Sequence, residues 1–166
     1  MKRLLLFVVA AAALTVGCGS DSDSAGTAGL TTAAVTESEA MTQAQANRPA
    51  GRKLKAVDSE YGPVVADGKG EALYIFEREK QGKSACYGAC ARAWPPVLTQ
   101  GAPRAGTGVS DLFGTTRRRD GKLQATFAGR PLYYYVGDSP GTILCHDVDE
   151  FGGTWRVVQP NGFPVA

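Results

Sequence analysis

The same pattern occurs twice in this chain. Gly70-Glu71-Ala72-Leu73-Tyr74-Ile75-Phe76-Glu77-Arg78-Glu79, with Cys86 seven residues further on, aligns without a gap on Gly129-Arg130-Pro131-Leu132-Tyr133-Tyr134-Tyr135-Val136-Gly137-Asp138, with Cys145 seven residues further on. Both copies read G-x-x-L-Y-x-[FY]-x-x-[ED]-x6-C. A tryptophan segment follows each, Trp94-Pro95-Pro96-Val97 and Trp155-Arg156-Val157-Val158. Self-similarity at a fixed spacing is the mark of a tandem repeat, and it constrains the fold more than any single residue does.

Period-2 alternation over residues 72–77 and 131–136 predicts a strand in each copy, with Leu73 and Leu132 on the face opposite Tyr74 and Tyr133. Leu123, Ala125 and Phe127 alternate with Gln124 and Thr126 in the same manner. Asp67-Gly68 and Asp120-Gly121 each precede a strand, and Asp-Gly favours tight turns with positive φ. Residues 84–93 are expected to form one short helix, stopped at Trp94-Pro95-Pro96 because proline disfavours helix in the residue before it. Residues 100–114, rich in Gly, Pro and Thr, read as the loop between repeats. The expected fold is mostly β: a small single domain over 52–166, built from two tandem β-rich repeats (about 60–99 and about 115–163) with one short helix.

The N-terminus is a targeting segment. Met1-Lys2-Arg3 followed by an apolar run over 4–16 is shorter than the roughly 20 apolar residues of a bilayer-spanning helix and matches a secretory signal over residues 1–17. The run ends Leu14-Thr15-Val16-Gly17-Cys18, which resembles a bacterial lipobox and makes Cys18 the expected site of lipidation, with palmitate among its acyl chains. Residues 18–51, from that cysteine on, are dominated by small and polar side chains without an aromatic. They cannot bury enough surface to offset their ordering entropy, so they are expected to form a flexible tether. Arg48, Arg52, Lys53 and Lys55 mark its junction with the domain.

Charge narrows the function classes. Eighteen basic residues against 16 acidic ones give a formal +2, without the single-sign excess of a nucleic-acid binder. A single histidine, His146, rules out a metal site built on several histidines. Gly137-Asp138-Ser139-Pro140-Gly141 imitates the nucleophile elbow of serine hydrolases, but that elbow uses the backbone N–H of the residue after serine, which Pro140 lacks. Cys86-Tyr87-Gly88-Ala89-Cys90-Ala91 has neither the spacing nor the following histidine of a covalent haem site.

The repeat residues resemble a family of bacterial lipoproteins defined by a Tyr-x-[Phe/Trp/Tyr]-x-x-Asp motif and described as a secreted repeat of unknown function. Tyr133-x-Tyr135-x-x-Asp138 fits the motif fully, whereas Tyr74-x-Phe76-x-x-Glu79 carries Glu in place of Asp. Cys86-x-x-x-Cys90-Ala91-x-x-Trp94-Pro95-Pro96 is similar to the family's first-repeat segment. The resemblance spans roughly residues 60 to 163. It implies location and repeat architecture, and no activity.

With Cys18 lipidated, three cysteines remain in a compartment that favours disulfides. Chain entropy favours linking Cys145 to Cys86 or Cys90, at about 4 kcal/mol against about 2 kcal/mol for the short loop. The four-residue spacing, and the paired cysteines that the resemblance implies, favour Cys86 with Cys90. Cys145, His146, Asp147 and Asp149 lie in the densest run of ligand-type atoms and are the candidates for a metal, although adjacent strand residues point to opposite faces. Tyr74, Phe76, Tyr133, Tyr135, Trp94 and Trp155 are the candidates for lining an apolar or planar ligand site, against the alternative of cross-strand packing. Glu79 and Asp138, at expected strand ends, should tolerate alanine. No catalytic set assembles and no cofactor is implied. The expectation is a lipid-anchored extracytoplasmic module, non-catalytic, attached to the membrane through Cys18, with an unidentified protein or small-molecule partner. The alternative is a redox or metal-handling envelope protein using Cys86, Cys90, Cys145 and His146.

Overall fold

The computed structural model describes residues 51–79 and 82–166. The signal segment, Cys18 and all but the last residue of the tether lie outside the described residues. The chain runs β1 (Lys53–Val57), β2 (Val64–Ala66), β3 (Tyr74–Phe76), α1 (Ala89–Ala93), β4 (Arg104–Ala105), β5 (Phe113–Arg117), β6 (Leu123–Phe127), β7 (Arg130–Pro131), β8 (Val148–Glu150) and β9 (Gly153–Val157). Three small sheets result, ordered β2-β1-β4, β3-β9-β8 and β5-β6-β7.

The duplication is visible in the hairpins β1–β2 and β5–β6, both antiparallel. Beyond the hairpins the copies exchange strands. β3, the motif strand of repeat one, pairs with β9, the tryptophan strand of repeat two, with Phe76 opposite Trp155. Reciprocally, Tyr133 of repeat two bridges Pro96 beside Trp94 of repeat one. Val65 N–H donates to the Val158 carbonyl at 2.8 Å, and Ala125 N–H to that of Val97 at 2.8 Å. Each half is thus completed by the other.

Two apolar clusters lie on either side of the motif strands. Tyr74, Phe76, Trp94, Tyr133, Trp155 and the Cys86–Cys90 disulfide belong to one; Leu54, Leu73, Ile75, Phe127 and Leu132 belong to the other. The opposed faces expected for Leu73 and Tyr74, and for Leu132 and Tyr133, follow from the strand period.

Several local expectations need correction. The helix is confined to Ala89–Ala93 rather than 84–93, because the N–H groups of Ala85 and Cys86 donate to the Glu79 carboxylate. The strand expected over 131–136 reduces to β7 and single bridges at Tyr133, where Pro95 and Pro96 lack the donors to continue a ladder. In the Asp67-Gly68 turn the positive φ falls on Gly70 (94°), while Asp67 Oδ1 accepts from Lys69 and Glu71 N–H. The inter-repeat loop contains β4, paired parallel to β1.

Candidate functional site

The motif residues of the two copies meet at the centre. Tyr74 and Tyr133 exchange both backbone hydrogen bonds, each at 2.9 Å. From this junction their side chains cross over: the Tyr74 hydroxyl donates to Asp138 Oδ2 at 2.6 Å, and the Tyr133 hydroxyl donates to Glu79 Oε1 at 2.6 Å. The tyrosine of each copy therefore anchors on the acid of the other. The acids are matched further, since Ala85 N–H donates to Glu79 Oε1 and the equivalent Leu144 N–H donates to Asp138 Oδ1. Glu in place of Asp leaves this role unchanged.

Their surroundings differ. Glu79 is 3% exposed and one of its oxygens takes three donors, Tyr133 Oη, Ala85 N and Cys86 N. Burial raises its carboxyl above the ordinary value, against the pull of those hydrogen bonds and of Arg118. Asp138 is only partly buried, and burial raises it too. Both tyrosine hydroxyls are pushed well above the usual phenol range, first by burial and then by their acid partners. The expectation that both acids lie at tolerant strand ends is overturned for Glu79.

Around Glu79 lies a polar group that sequence reading missed. Arg118, 4% exposed, donates from Nη1 to Gln124 Oε1 at 2.6 Å and from Nη2 to the Cys86 carbonyl at 2.8 Å. Ser84 Oγ donates to the same Gln124 oxygen at 2.6 Å, and Gln124 Nε2 donates to the Leu132 carbonyl. The available signal was Gln124 on the inward-facing strand β6, where a buried polar side chain requires partners.

The aromatic candidates pack on one another. Trp94 and Trp155 stack at 4.0 Å and 5°, Phe76 stacks on Trp155 at 4.2 Å, and Tyr133 meets Trp155 edge-on at 5.2 Å. Glu150 ties both indoles: its Oε2 accepts from Trp94 Nε1 at 2.8 Å and its carbonyl from Trp155 Nε1 at 3.3 Å. Tyr74, Trp94, Tyr133 and Trp155 are each 0% exposed and Phe76 is 2% exposed, so these five line no open site. Only Tyr135, which leans on Trp94 at 4.8 Å, is partly exposed.

The Cys145–Glu150 run does not converge. His146 Nδ1 accepts from Val157 N–H at 3.4 Å, its ring lies 4.4 Å from Tyr61, and burial lowers its pKa. Asp147 pairs with Arg156 at 2.7 Å, and Asp149 accepts from Thr154 Oγ1 at 2.6 Å. Among the described residues, no cluster of three or more His, Cys, Asp or Glu side chains is placed to hold a metal ion. Cys86 and Cys90 are joined, whereas Cys145 is a half-buried free thiol. Ser139, the false nucleophile, sits in a turn bridging to Thr142.

A family model described as a secreted repeat of unknown function matches residues 55–98 and 114–159, one match for each half of the interlocked core. The chain belongs to this family. The family model's two matches coincide with the units that exchange tyrosine–acid hydrogen bonds, so the secreted repeat is here a pair and not a string of independent modules. No curated protein and no solved structure matches the chain. No helix among the described residues is long and apolar enough to cross a membrane.

Proposed function

We propose that this secreted-repeat protein is a lipoprotein held at the extracytoplasmic face of the cell membrane by lipid on Cys18, and that its domain is a non-catalytic binding or structural module. The observation that carries this reading is the use made of the reactive side chains. Both motif tyrosines are bonded to the motif acids and both tryptophans stack on each other, so the groups best suited to acid–base chemistry serve the fold. The family supports an extracytoplasmic location, and the lipobox-like Gly17-Cys18 supports the anchor. No cofactor and no nucleic acid enters the proposal; the membrane is met through the lipid, and a protein or small molecule is the partner.

Fractionation of cells expressing Cys18→Ala tests the anchor: the variant should move to the soluble extracellular fraction with its domain intact, and continued membrane association would exclude lipid on Cys18. Substrate turnover abolished by one point variant would overturn the non-catalytic reading. One observation favours the redox alternative: Cys145 occupies the repeat position of the disulfide-bonded Cys86 yet remains a thiol.

A further inference from the structure

Each copy leaves a hollow beside its first hairpin, and the two are lined differently. In each copy the cleft lies among the residue before the first strand, the turn after the second strand, and the segment that follows the tryptophan. In repeat one these are Arg52, the Asp67–Lys69 turn and Leu98–Gln100. Arg52 crosses the space, donating from Nε to the Leu98 carbonyl at 2.8 Å and from Nη1 to Tyr134 Oη at 3.5 Å. The space is left as two hollows of about 430 and 230 Å³ that share Arg52.

In repeat two the strand register places Leu112 at the position of Lys53 and Asp111 at that of Arg52, so the counterpart of the bridging arginine is an acid. A cavity of about 340 Å³ lies here, walled by Leu112, Ala128, Asn161, Gly162, Phe163 and Pro164. Leu112 is 48% exposed and Phe163 67% exposed, so the rim presents large apolar side chains to solvent. One charged residue lines it, Arg130, half-buried and without a hydrogen bond or ion pair among the described residues. Its counterpart in repeat one is Glu71, so the charge at this position is reversed between the copies.

We infer that the repeat-two cleft binds a small amphiphilic carboxylate, with its apolar body against Leu112, Ala128 and Phe163 and its anionic head on the Arg130 guanidinium. Burial of the apolar body drives association, and the single cation sets the polarity of the ligand. The inference rests on reading the domain as a binding module, and names the class of molecule it binds.

The test is a titration of the ¹⁵N-labelled full chain with octanoate and, separately, octan-1-ol at neutral pH, followed by amide shifts. Octanoate should give saturable shifts at Leu112, Ala128, Arg130 and Phe163, with octanol at least tenfold weaker. Arg130→Gln should reduce octanoate to the level of octanol, and Leu112→Asp, which puts a carboxylate into the apolar wall, should abolish both. Equal binding of acid and alcohol, shifts elsewhere, or no saturation would overturn the site. So would cleft shifts that track protein concentration without ligand, which would mean that a second copy covers it. The acid–alcohol comparison on the unaltered chain decides the matter if either variant fails to fold. Octanoate bound but chemically converted would sink the non-catalytic reading and leave the site standing; octanoate unbound would do the reverse.

Discussion

Tyr74 and Tyr133, equivalent in the two copies, donate their backbone N–H groups to each other's carbonyls at 2.9 Å and send their hydroxyls to each other's acids. The motif acid is therefore legible only in pairs, because its partner is never in its own copy.

Alanine at the two acids should separate them. Glu79→Ala strands two buried donors, Tyr133 Oη and Cys86 N–H, and is expected to cost roughly 2–4 kcal/mol, whereas water can reach the partners of Asp138 and limits Asp138→Ala to about 1 kcal/mol. Chemical denaturation measures both. A double-mutant cycle of Glu79→Ala with Tyr133→Phe should show a coupling well above zero.

Protonation gives a second expectation. Burial lifts the folded-state carboxyl of Glu79 above its ordinary 4.5, so the folded chain binds that proton more readily than the unfolded chain. Its contribution is fully present below the unfolded value and is lost as pH rises through the folded value. Glu79→Gln should consequently gain stability relative to the wild type as pH rises above 4.5. A flat difference across a series of urea unfolding curves would exclude it.

Leu73 and Leu132 are both 0% exposed in the cluster opposite the tyrosines. Truncating either to alanine should cost roughly 2–5 kcal/mol by thermal unfolding, since both leave cavities in the same packed core.

The thiols should behave unequally. Native-state alkylation followed by peptide mass mapping should label Cys145 and leave Cys86 and Cys90 unmodified. Paired serines at Cys86 and Cys90 should lower stability by about 2 kcal/mol, the entropy of a short closed loop.

The sequence made the duplication, the opposed Leu and Tyr faces and the mostly β architecture readable, because each is written in local spacing. The exchange of strands was not readable. Phe76 pairs with Trp155 across most of the domain, and nothing local marks a distant partner. Glu79 misled for a related reason: an acid after a strand looks like a surface residue until the other repeat supplies the tyrosine that buries it. The same carboxylate shortened the helix by taking the N–H groups of Ala85 and Cys86. In the loop Cys145–Glu150, a dense run of ligand-type atoms has the look of a metal centre in sequence, yet Arg156, Thr154 and Val157 draw its side chains apart.

The interlacing of β3 with β9 fixes when this chain can fold. A chain that emerges from its N-terminus first exposes the motif strand of repeat one long before Trp155 arrives to cover it, and pairings so distant in sequence close slowly. Repeat one can form its own hairpin β1–β2, but its motif strand has no native partner until nearly the whole domain is available. Stability gained by sharing a core is withheld until Trp155 is available to pair.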